Sequence, residues 1–320
     1  MHPGKLADVN PFIARLGRSA RGPARALFRV TSKPIGGGGG LRHAAPGAIA
    51  GALGAGEETL QGLVVLVTGA SSGIGEATAR RLAAGGATVL LVARSAETLE
   101  RIAAEIGEIG VAGGPGSAQP YACDLTDLDA IDALCDRVLA DHGAADVLVN
   151  NAGRSIRRSV DQSSERFHDF QRTMQLNYFA AIKLILRMLP AMREQRHGQI
   201  VNVSTAGVQM RTPRFSGYIA SKAALEAFSD AVQAEALDDG VRFTTISMPL
   251  VRTPMISPTK QYEGIPALNP DEAGRLVAEA ISGRPRRVAP PFAHILSTVD
   301  RISPETMDTV RNRVYRMFPE

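Results

Sequence analysis

Short apolar runs alternate with longer amphipathic stretches from about residue 60 to residue 250. The apolar runs are typical of buried strands and cover 63–68, 88–92, 118–123, 146–150, 199–204 and 242–247. The stretches between them carry apolar residues at helical spacing and cover 75–84, 96–106, 128–139, 167–192 and 221–237. This alternation predicts an α/β fold with a doubly wound, mainly parallel sheet that helices cover on both faces.

The chain divides into three parts around this pattern. An N-terminal arm covers 1–59 and contains five consecutive glycines at 36–40, which favour a flexible joint. The α/β body covers 60–290, and a tail covering 291–320 is predicted to be helical. We therefore expect a single domain with an arm and a tail.

The arm is strongly basic, whereas the remainder is nearly neutral. Residues 1–42 hold eight basic residues and one acid, which leaves 28 basic and 31 acidic residues for the rest of the chain. On a helical wheel starting at Phe12, the apolar residues and the arginines of the arm separate onto opposite faces, although Pro23 interrupts the pattern. Three interpretations stay open: contact with an anionic membrane, an amphipathic transit peptide, or packing on the body.

Composition excludes several other classes of protein. Apolar residues make up 44% of the 320 residues and charged residues 21%, as in ordinary globular proteins. The two cysteines, Cys123 and Cys135, suggest free thiols in a reducing compartment, and the scattered histidines predict no metal site. Because the basic charge lies in the arm, we expect no nucleic-acid partner. A cytoplasmic location is expected, with a peripheral membrane position or organellar targeting as the arm's alternatives.

The first predicted strand ends in the sequence TGASSGIG, residues 68–75, directly before a helix. Glycines at 69, 73 and 75 allow a tight turn and close approach of a pyrophosphate to the helix N-terminus, which predicts a dinucleotide site. The same residues also fit the G-x-S-x-G turn of an α/β-hydrolase, with Ser71 as nucleophile and His294 as a candidate base. The hydrolase interpretation explains none of the later motifs.

Two further strand ends suit the adenosine half of such a cofactor. Arg94 and Ser95 follow the second strand, where an arginine favours the 2′-phosphate of NADP over the bare ribose of NAD. Asp124 and Leu125 follow the third strand, where an acid can accept a hydrogen bond from the adenine amino group.

The ends of the fourth and fifth strands predict the reacting half of the site. Asn150, Asn151, Ala152 and Gly153 are small or polar residues, and small residues let a flat ring lie against the backbone. Ser204 ends the fifth strand and can bind a carbonyl oxygen. Tyr218 and Lys222 lie on one helix face, and we expect the ammonium to lower the tyrosine pKa for acid–base work.

These motifs, in this order, resemble the short-chain dehydrogenase/reductase family of single-domain Rossmann oxidoreductases over about 230 residues. The resemblance implies strand order 3-2-1-4-5-6-7 and a catalytic domain over 60–290. The catalytic tetrad it implies is Asn177, Ser204, Tyr218 and Lys222, in which Asn177 holds a relay water and Lys222 also binds the ribose. The cofactor contacts expected from the motifs and the resemblance are Gly69, Ser71, Ser72, Gly73, Ile74, Gly75, Arg94, Ser95, Asp124, Leu125, Asn151, Ala152, Gly153, Tyr218, Lys222, Pro249 and Thr253.

A narrower resemblance bears on the substrate. The segment 248–260, the arm and the Phe318–Pro319 ending are similar to bacterial members described as long-chain fatty acyl-CoA reductases, although Leu250 replaces the glycine common in the family. We therefore expect an NADP(H)-dependent oxidoreductase acting on an apolar, lipid-like acyl or aldehyde substrate. A reductase of steroids or other bulky ketones and a non-catalytic NADP-binding sensor are the alternatives. Members of this family often pair through their long helices, so the resemblance also implies a homo-oligomer.

Overall fold

The computed structural model describes residues 31–32, 60–111, 116–257, 262 and 264–317. Within these residues one sheet is formed by the strands β1 (Thr31–Ser32), β2 (Val64–Thr68), β3 (Thr88–Ala93), β4 (Ser117–Ala122), β5 (Val147–Asn150), β6 (Gly198–Thr205), β7 (Val241–Met248) and β8 (Arg287–Ala289). Their order across the sheet is β1-β8-β7-β6-β5-β2-β3-β4. Strands β2 to β8 are all parallel, and β1 pairs antiparallel with β8 at the edge. Counted from β2, the order is 3-2-1-4-5-6-7, so the predicted doubly wound sheet is confirmed.

Helices cover both faces of this sheet. They are α1 (Gly73–Ala84), α2 (Ala96–Val111), α3 (Leu128–His142), α4 (Phe167–Met174), α5 (Ala180–Glu194), α6 (Gly207–Met210), α7 (Ser216–Ala236), α8 (Pro270–Gly283), α9 (Pro291–Ile302) and α10 (Pro304–Met317). One apolar core lies on the face covered by α1, α2 and α8, and a second on the face covered by α3, α5 and α7.

Strand β2 shows why the central strands read as continuous apolar runs. Val65 and Val67 belong to the first core and Leu66 to the second, and all three are fully buried. Successive side chains of a strand point to opposite faces, so a sheet covered on both sides needs apolar residues at every position. Edge strand β4 tolerates Pro120 because its outer side forms no ladder.

The predicted helix over 167–192 is not a single α-helix. Helices α4 and α5 are joined by a π-helical turn, Gln175–Phe179, that contains Asn177. A π turn widens the helix by one residue and turns the side chains that follow it, and such turns are common at functional sites. Periodicity in the sequence did not reveal this insertion.

The tail forms two helices, as predicted, and both pack beside the carboxyl end of β6. Asp300 on α9 is 5% exposed and pairs with Arg211 at 2.8 Å and with Arg311 on α10 at 2.6 Å. The Arg311 Nε also donates to the Met210 carbonyl at 3.1 Å. This buried carboxylate joins the tail to the loop that follows β6.

Apart from Thr31 and Ser32, the arm lies outside the described residues, so the three interpretations of the arm stay predictions. In the part of the chain that the structure describes, every helix is too short or too polar to cross a membrane. Cys123 and Cys135 are free and buried, as expected.

Candidate active site

The candidate site lies at the carboxyl ends of β2, β5 and β6. Strand β2 has β3 on one side and β5 on the other, so the chain reverses its winding direction between β2 and β5. In open α/β sheets, this reversal leaves a crevice outside the carboxyl ends of the strands, where ligands bind. The residues predicted for cofactor and substrate therefore converge at one edge.

The glycine loop between β2 and α1 has the geometry of a phosphate cradle. Gly69 and Gly73 adopt positive φ angles of 68° and 59°, which only glycine adopts without strain. A Cβ on Gly75 would lie 2.1 Å from the Gly69 carbonyl oxygen, so the third position also requires glycine. Ser72 precedes the first turn of α1 without capping it through its side chain. The N-terminal N–H groups of α1 can therefore face a bound anion, and the loop fits the pyrophosphate of a dinucleotide.

Other predicted residues hold this loop in place. Asn151 follows β5, and its Nδ2 donates to the Thr68 carbonyl at 2.9 Å, while its backbone N–H donates to the Thr68 Oγ1 at 2.9 Å. The Ala152 N–H donates to the same hydroxyl at 3.0 Å. On the opposite side, the Thr253 Cγ2 would lie 3.0 Å from a Cβ on Gly73. Asn151 and Thr253 thus position the loop from two strand ends.

Arg94 and Asp124 lie together at the ends of β3 and β4. Both side chains are exposed. The Asp124 Oδ1 accepts hydrogen bonds from the Thr126 N–H and hydroxyl, which, with the charge of nearby Arg94, lower the pKa of the carboxyl group. Ser95 accepts a bond from the Thr98 N–H at 3.3 Å and so begins α2. This edge therefore offers one cation and one carboxylate beside the glycine loop.

Three of the remaining predicted contacts are largely buried or packed in the structure. Leu125 is 5% exposed in the second core, so only its backbone can face a ligand. Pro249 is buried at the end of β7. Ile74 packs against the first core. Ser71, at the start of the loop, is partly buried.

Lys222 is buried at the centre of the site. It is 3% exposed, and its Nζ donates to the Val203 carbonyl at 2.9 Å. A Cβ on Gly153 would lie 3.6 Å from this Nζ and 3.3 Å from the Asn177 Oδ1. The absence of a side chain at Gly153 thus leaves a gap through which Lys222 and Asn177 both face the end of β5.

Asn177 joins the π turn to two neighbouring segments. Its Oδ1 accepts from the Arg154 N–H at 2.7 Å, and its Nδ2 donates to the Arg154 carbonyl and the Ser221 hydroxyl, each at 2.9 Å. The side chain is 1% exposed. The π turn therefore fixes Asn177 beside the residue that precedes Lys222.

The structure does not bring Ser204 to Tyr218. Ser204 is 4% exposed, and its hydroxyl donates to the Glu226 Oε1 at 2.5 Å. Instead, the hydroxyl group of Thr205, the next residue of β6, lies near enough to the Tyr218 phenol to lower its pKa. Neighbouring side chains of β6 point in opposite directions, so Ser204 and Thr205 reach different parts of α7. Ser204 meets Glu226, about two turns further along α7 than Tyr218, and the hydroxyl beside Tyr218 is that of Thr205.

The pKa of Tyr218 also departs from expectation. The spacing of Tyr218 and Lys222 predicts a lowered pKa for the tyrosine. Burial instead raises the pKa of Tyr218 to about 12, and the Thr205 hydroxyl only partly opposes this rise. The charge of Tyr262, in the loop after β7, raises it further. The Lys222 ammonium contributes no resolved effect on this phenol, and its hydrogen bond goes to the Val203 carbonyl. The Tyr218 phenol therefore keeps its proton at neutral pH and can donate it.

Burial has the reverse effect on Lys222. It lowers the pKa of the ammonium from 10.5 to about 8, and the negative charge of Glu226 opposes this shift. Between pH 8 and pH 10.5 the unfolded chain keeps a proton that the folded chain has lost, so stability should rise with pH in that window.

We expect this rise to disappear in Lys222→Met. The difference in unfolding free energy between wild type and variant should change by roughly 3 kcal/mol in favour of the wild type across the window, since one pKa unit corresponds to about 1.4 kcal/mol. Urea unfolding of both proteins without cofactor at pH 7.5, 9.0 and 10.5 measures this difference. Parallel curves for the two proteins would contradict the lowered pKa.

Sequence reasoning missed Thr205 and Tyr262. Thr205 lies beside Tyr218, and Tyr262 affects the pKa of Tyr218 through its charge. The charge of Arg157 in turn lowers the pKa of Tyr262, which burial raises. The available signal for Thr205 was the strand itself, because β6 continues through that residue and its alternation can be counted. Tyr262 lies in a loop whose base is closed by bonds from the Leu268 N–H to the Leu250 carbonyl and from the Arg252 N–H to the Leu268 carbonyl, each 2.9 Å.

Comparisons with known proteins agree with this geometry. The family model for short chain dehydrogenases matches residues 63–264. A Mycobacterium tuberculosis protein described as an uncharacterized oxidoreductase is 54% identical over 261 residues, which cover 82% of this chain and 76% of that protein. A fatty acyl-CoA reductase of Acinetobacter baylyi is 50% identical over 262 residues, which cover 82% of this chain and 87% of that protein.

A solved structure supplies the matching fold. A metagenomic short-chain oxidoreductase in complex with NADP has a TM-score of 0.59 and 33% identity, and the match covers 70% of this chain and 92% of that one. The loop at 69–73 is accordingly part of a dinucleotide fold, and the hydrolase interpretation of the same residues is set aside. On the extent of these matches, the chain belongs to the short-chain dehydrogenase/reductase family of oxidoreductases.

Proposed function

We propose that this protein uses NADPH to reduce the carbonyl group of a long-chain acyl or aldehyde substrate. The observation that carries the proposal is the 50% identity, over 82% of this chain, with a protein named a fatty acyl-CoA reductase. The arrangement of Thr205, Tyr218 and Lys222 at the cofactor crevice supports carbonyl reduction. The apolar substrate class rests on the relative alone, because these three residues suit any carbonyl.

The residues present fit a dinucleotide with a 2′-phosphate. The glycine loop would hold the pyrophosphate, and Lys222 would reach the ribose beside the nicotinamide. Arg94, exposed at the end of β3, would pair with the 2′-phosphate through charge-assisted hydrogen bonds. When bound, the cofactor would supply the hydride to the carbonyl carbon.

Arg94→Asp should shift the preference from NADPH toward NADH. The change removes the cation and adds a charge that repels the phosphate, and hydrogen bonds to charged groups contribute about 1.5–3 kcal/mol. The kcat/KM for NADPH should therefore fall by roughly 10-fold to 100-fold, while that for NADH holds or rises. Steady-state rates at varied cofactor concentration measure both values.

Arg101→Asp is the matched control, since Arg101 is an exposed arginine on the neighbouring helix α2 that pairs with Glu105. It carries the same change in charge away from the end of β3. An unchanged NADPH-to-NADH ratio in Arg94→Asp would show that Arg94 does not contact the cofactor.

The chain's own residues account for the proton and the oxygen. The Thr205 hydroxyl lies beside the Tyr218 phenol, so both hydroxyls can bind one carbonyl oxygen and stabilise the charge that develops on it. Tyr218 then gives its proton to that oxygen. Lys222 and Asn177 are both buried and both lie near the Gly153 position. In this proposal they return a proton to Tyr218 after each turnover.

The proposal is tested by substrate choice. The full-length protein with NADPH should reduce hexadecanal to hexadecanol and release hexadecanal from palmitoyl-CoA, as judged by gas chromatography of the extracted products. A steroid ketone is the third substrate. Turnover of the ketone alone would replace the lipid proposal with a bulky-ketone reductase. Binding of NADPH without turnover of any carbonyl would indicate a sensor.

A further inference from the structure

A cavity of about 480 Å³ opens beside helix α7, and its lining holds no residue of the glycine loop. Its walls come from four places: the segment after β5, the loop between α6 and α7, the first turn of α7, and the last turn of α10. Ile219, the residue after Tyr218, forms part of the wall, and it also contacts the Gly207 position that follows Thr205. The cavity thus begins one residue from the catalytic pair.

Three arginines line this cavity: Arg158, Arg211 and Arg214. The acidic residue of its lining is Asp161, whose side chain is exposed. Asp169 and Asp300 pair with Arg158 and Arg211 from outside the lining, but each carboxylate is shared with a further arginine, so an excess of positive charge is left. A neutral aldehyde or ketone gives no reason for three cations at this place, whereas a ligand with phosphate groups does, because guanidinium groups bind phosphate through paired donors.

The three guanidinium groups are held in place. The Arg214 guanidinium lies 3.9 Å above the Tyr315 ring, and its Nη1 donates to the Tyr315 carbonyl at 3.0 Å. The Arg158 Nε lies 3.3 Å from the Asp169 Oδ2, and the Arg211 Nη1 lies 2.8 Å from the Asp300 Oδ2. Such fixed cations lose little conformational freedom when an anion binds.

The backbone of the loop supports the same conclusion. Arg211 and Arg214 adopt left-handed conformations, with φ angles of 52° and 70°. Such φ angles are uncommon for residues other than glycine, and they persist when the surrounding structure enforces them, often at ligand sites. Here the conformation belongs to the two residues that supply the charge of the loop.

We propose that this cavity binds the phosphate groups of a coenzyme A thioester, so that the pantetheine arm runs past Ile219 and delivers the thioester to Thr205 and Tyr218. This inference rests on the proposed function and narrows it from acyl or aldehyde substrates to thioesters. A hydride adds to the thioester carbon and the carbon–sulfur bond breaks. The products are the aldehyde, the free thiol, which takes up a proton, and the oxidised cofactor.

Each carboxylate that pairs with a cavity arginine has a second arginine partner. Asp169 is also paired with Arg166, at 2.9 Å, and Asp300 with Arg311, at 2.6 Å, so replacing Arg158 or Arg211 leaves neither carboxylate unpaired. Arg158→Gln/Arg211→Asn is therefore the test variant. Arg166→Gln is the matched control, because Arg166 binds the same Asp169 from outside the cavity lining.

The first measurement is KM for four substrates that differ in the phosphate-bearing part: palmitoyl-CoA, palmitoyl-phosphopantetheine, palmitoyl-pantetheine and hexadecanal. For the wild type, palmitoyl-CoA should have a KM at least about 10-fold below that of palmitoyl-pantetheine. The phosphopantetheine thioester distinguishes the pantetheine phosphate from the nucleotide phosphates. In the double variant the KM for palmitoyl-CoA should rise about 10-fold, with the values for palmitoyl-pantetheine and hexadecanal unchanged. Arg166→Gln should behave as wild type.

An equal rise in KM for hexadecanal, or an equal effect in Arg166→Gln, would overturn the proposal, since the arginines would then act through folding or distant charge. Reduction of hexadecanal with no preference for phosphorylated thioesters would overturn the phosphate site and leave the proposed reductase standing. The second measurement, calorimetric binding of free CoA to the NADP-saturated full-length protein, needs no turnover. Binding that the double variant loses supports the site even if the carbonyl substrates fail, and no binding to the wild type overturns it.

Discussion

Replacement of Tyr218 by phenylalanine should lower turnover by about 10³-fold and leave cofactor binding unchanged. The substitution removes the phenol hydroxyl that we propose gives its proton to the substrate oxygen, and it keeps the aromatic ring. General acid catalysis contributes about 10²–10⁴-fold, and burial, which raises the pKa of Tyr218 to about 12, keeps the phenol protonated and ready to donate.

The measurement pairs steady-state turnover with NADPH fluorescence on the same protein samples. Tyr178→Phe is the control, because Tyr178 lies on the π turn and packs against the second core, so it reports the effect of losing a hydroxyl elsewhere in the fold. Turnover close to wild type in Tyr218→Phe would remove Tyr218 from the mechanism.

The second large effect should distinguish the roles of two adjacent hydroxyl groups, those of Thr205 and Ser204. Thr205→Val removes the hydroxyl beside Tyr218 with little change of shape, and we expect kcat to fall by about 10²–10³-fold, as when one oxyanion donor is lost. Thr205→Ser should restore most of the activity. Both outcomes follow from the position of the Thr205 hydroxyl beside the Tyr218 phenol.

Ser204→Ala should give the opposite signature. It removes the donor to Glu226, a carboxyl group that is 7% exposed, so the free energy of unfolding should fall by about 1–3 kcal/mol. Turnover should stay within about 10-fold of wild type because the hydroxyl is bonded to Glu226, about two turns of α7 away from Tyr218. Kinetics and urea unfolding of the three variants decide the matter: loss of turnover in Ser204→Ala with activity kept in Thr205→Val would return the oxyanion role to Ser204.

The strength of the local patterns explains how much the sequence alone determined. Continuous apolar strands separated by helices were sufficient for the sheet, its parallel strands and its two cores, because each strand must bury both faces. The glycines at 69, 73 and 75 were sufficient for the loop, since two of them adopt positive φ angles and the third leaves no room for a Cβ. The pairing of Tyr218 with Lys222 on one helix followed from their spacing of four residues.

Tertiary structure decided three features of the site: the hydroxyl that lies beside Tyr218, the π turn at Asn177 and the pKa of Tyr218. Ser204 and Thr205 are both hydroxyl residues at a strand end, and counting the alternation of β6 requires knowing where the strand ends. The packing of β6 against α7 shows that Thr205 is the one beside Tyr218. The π turn at Asn177 adds one residue to a helix whose apolar pattern looks continuous. Whether the pKa of Tyr218 rises or falls depends on the relative effects of burial and nearby charges. The spacing of residues in the sequence does not give these effects.

The arginine-lined cavity belongs to the same category. Its charges come from residues about 50 positions apart, and its far wall is Tyr315, about 100 residues further along the chain. No window of sequence contains them together, because Asp300 and Arg311 must first join the tail to the loop after β6. The sequence by itself therefore determined the fold, the glycine loop and the placement of Tyr218 and Lys222 on one helix, whereas long-range packing decided which hydroxyl lies beside Tyr218 and which charges line the cavity.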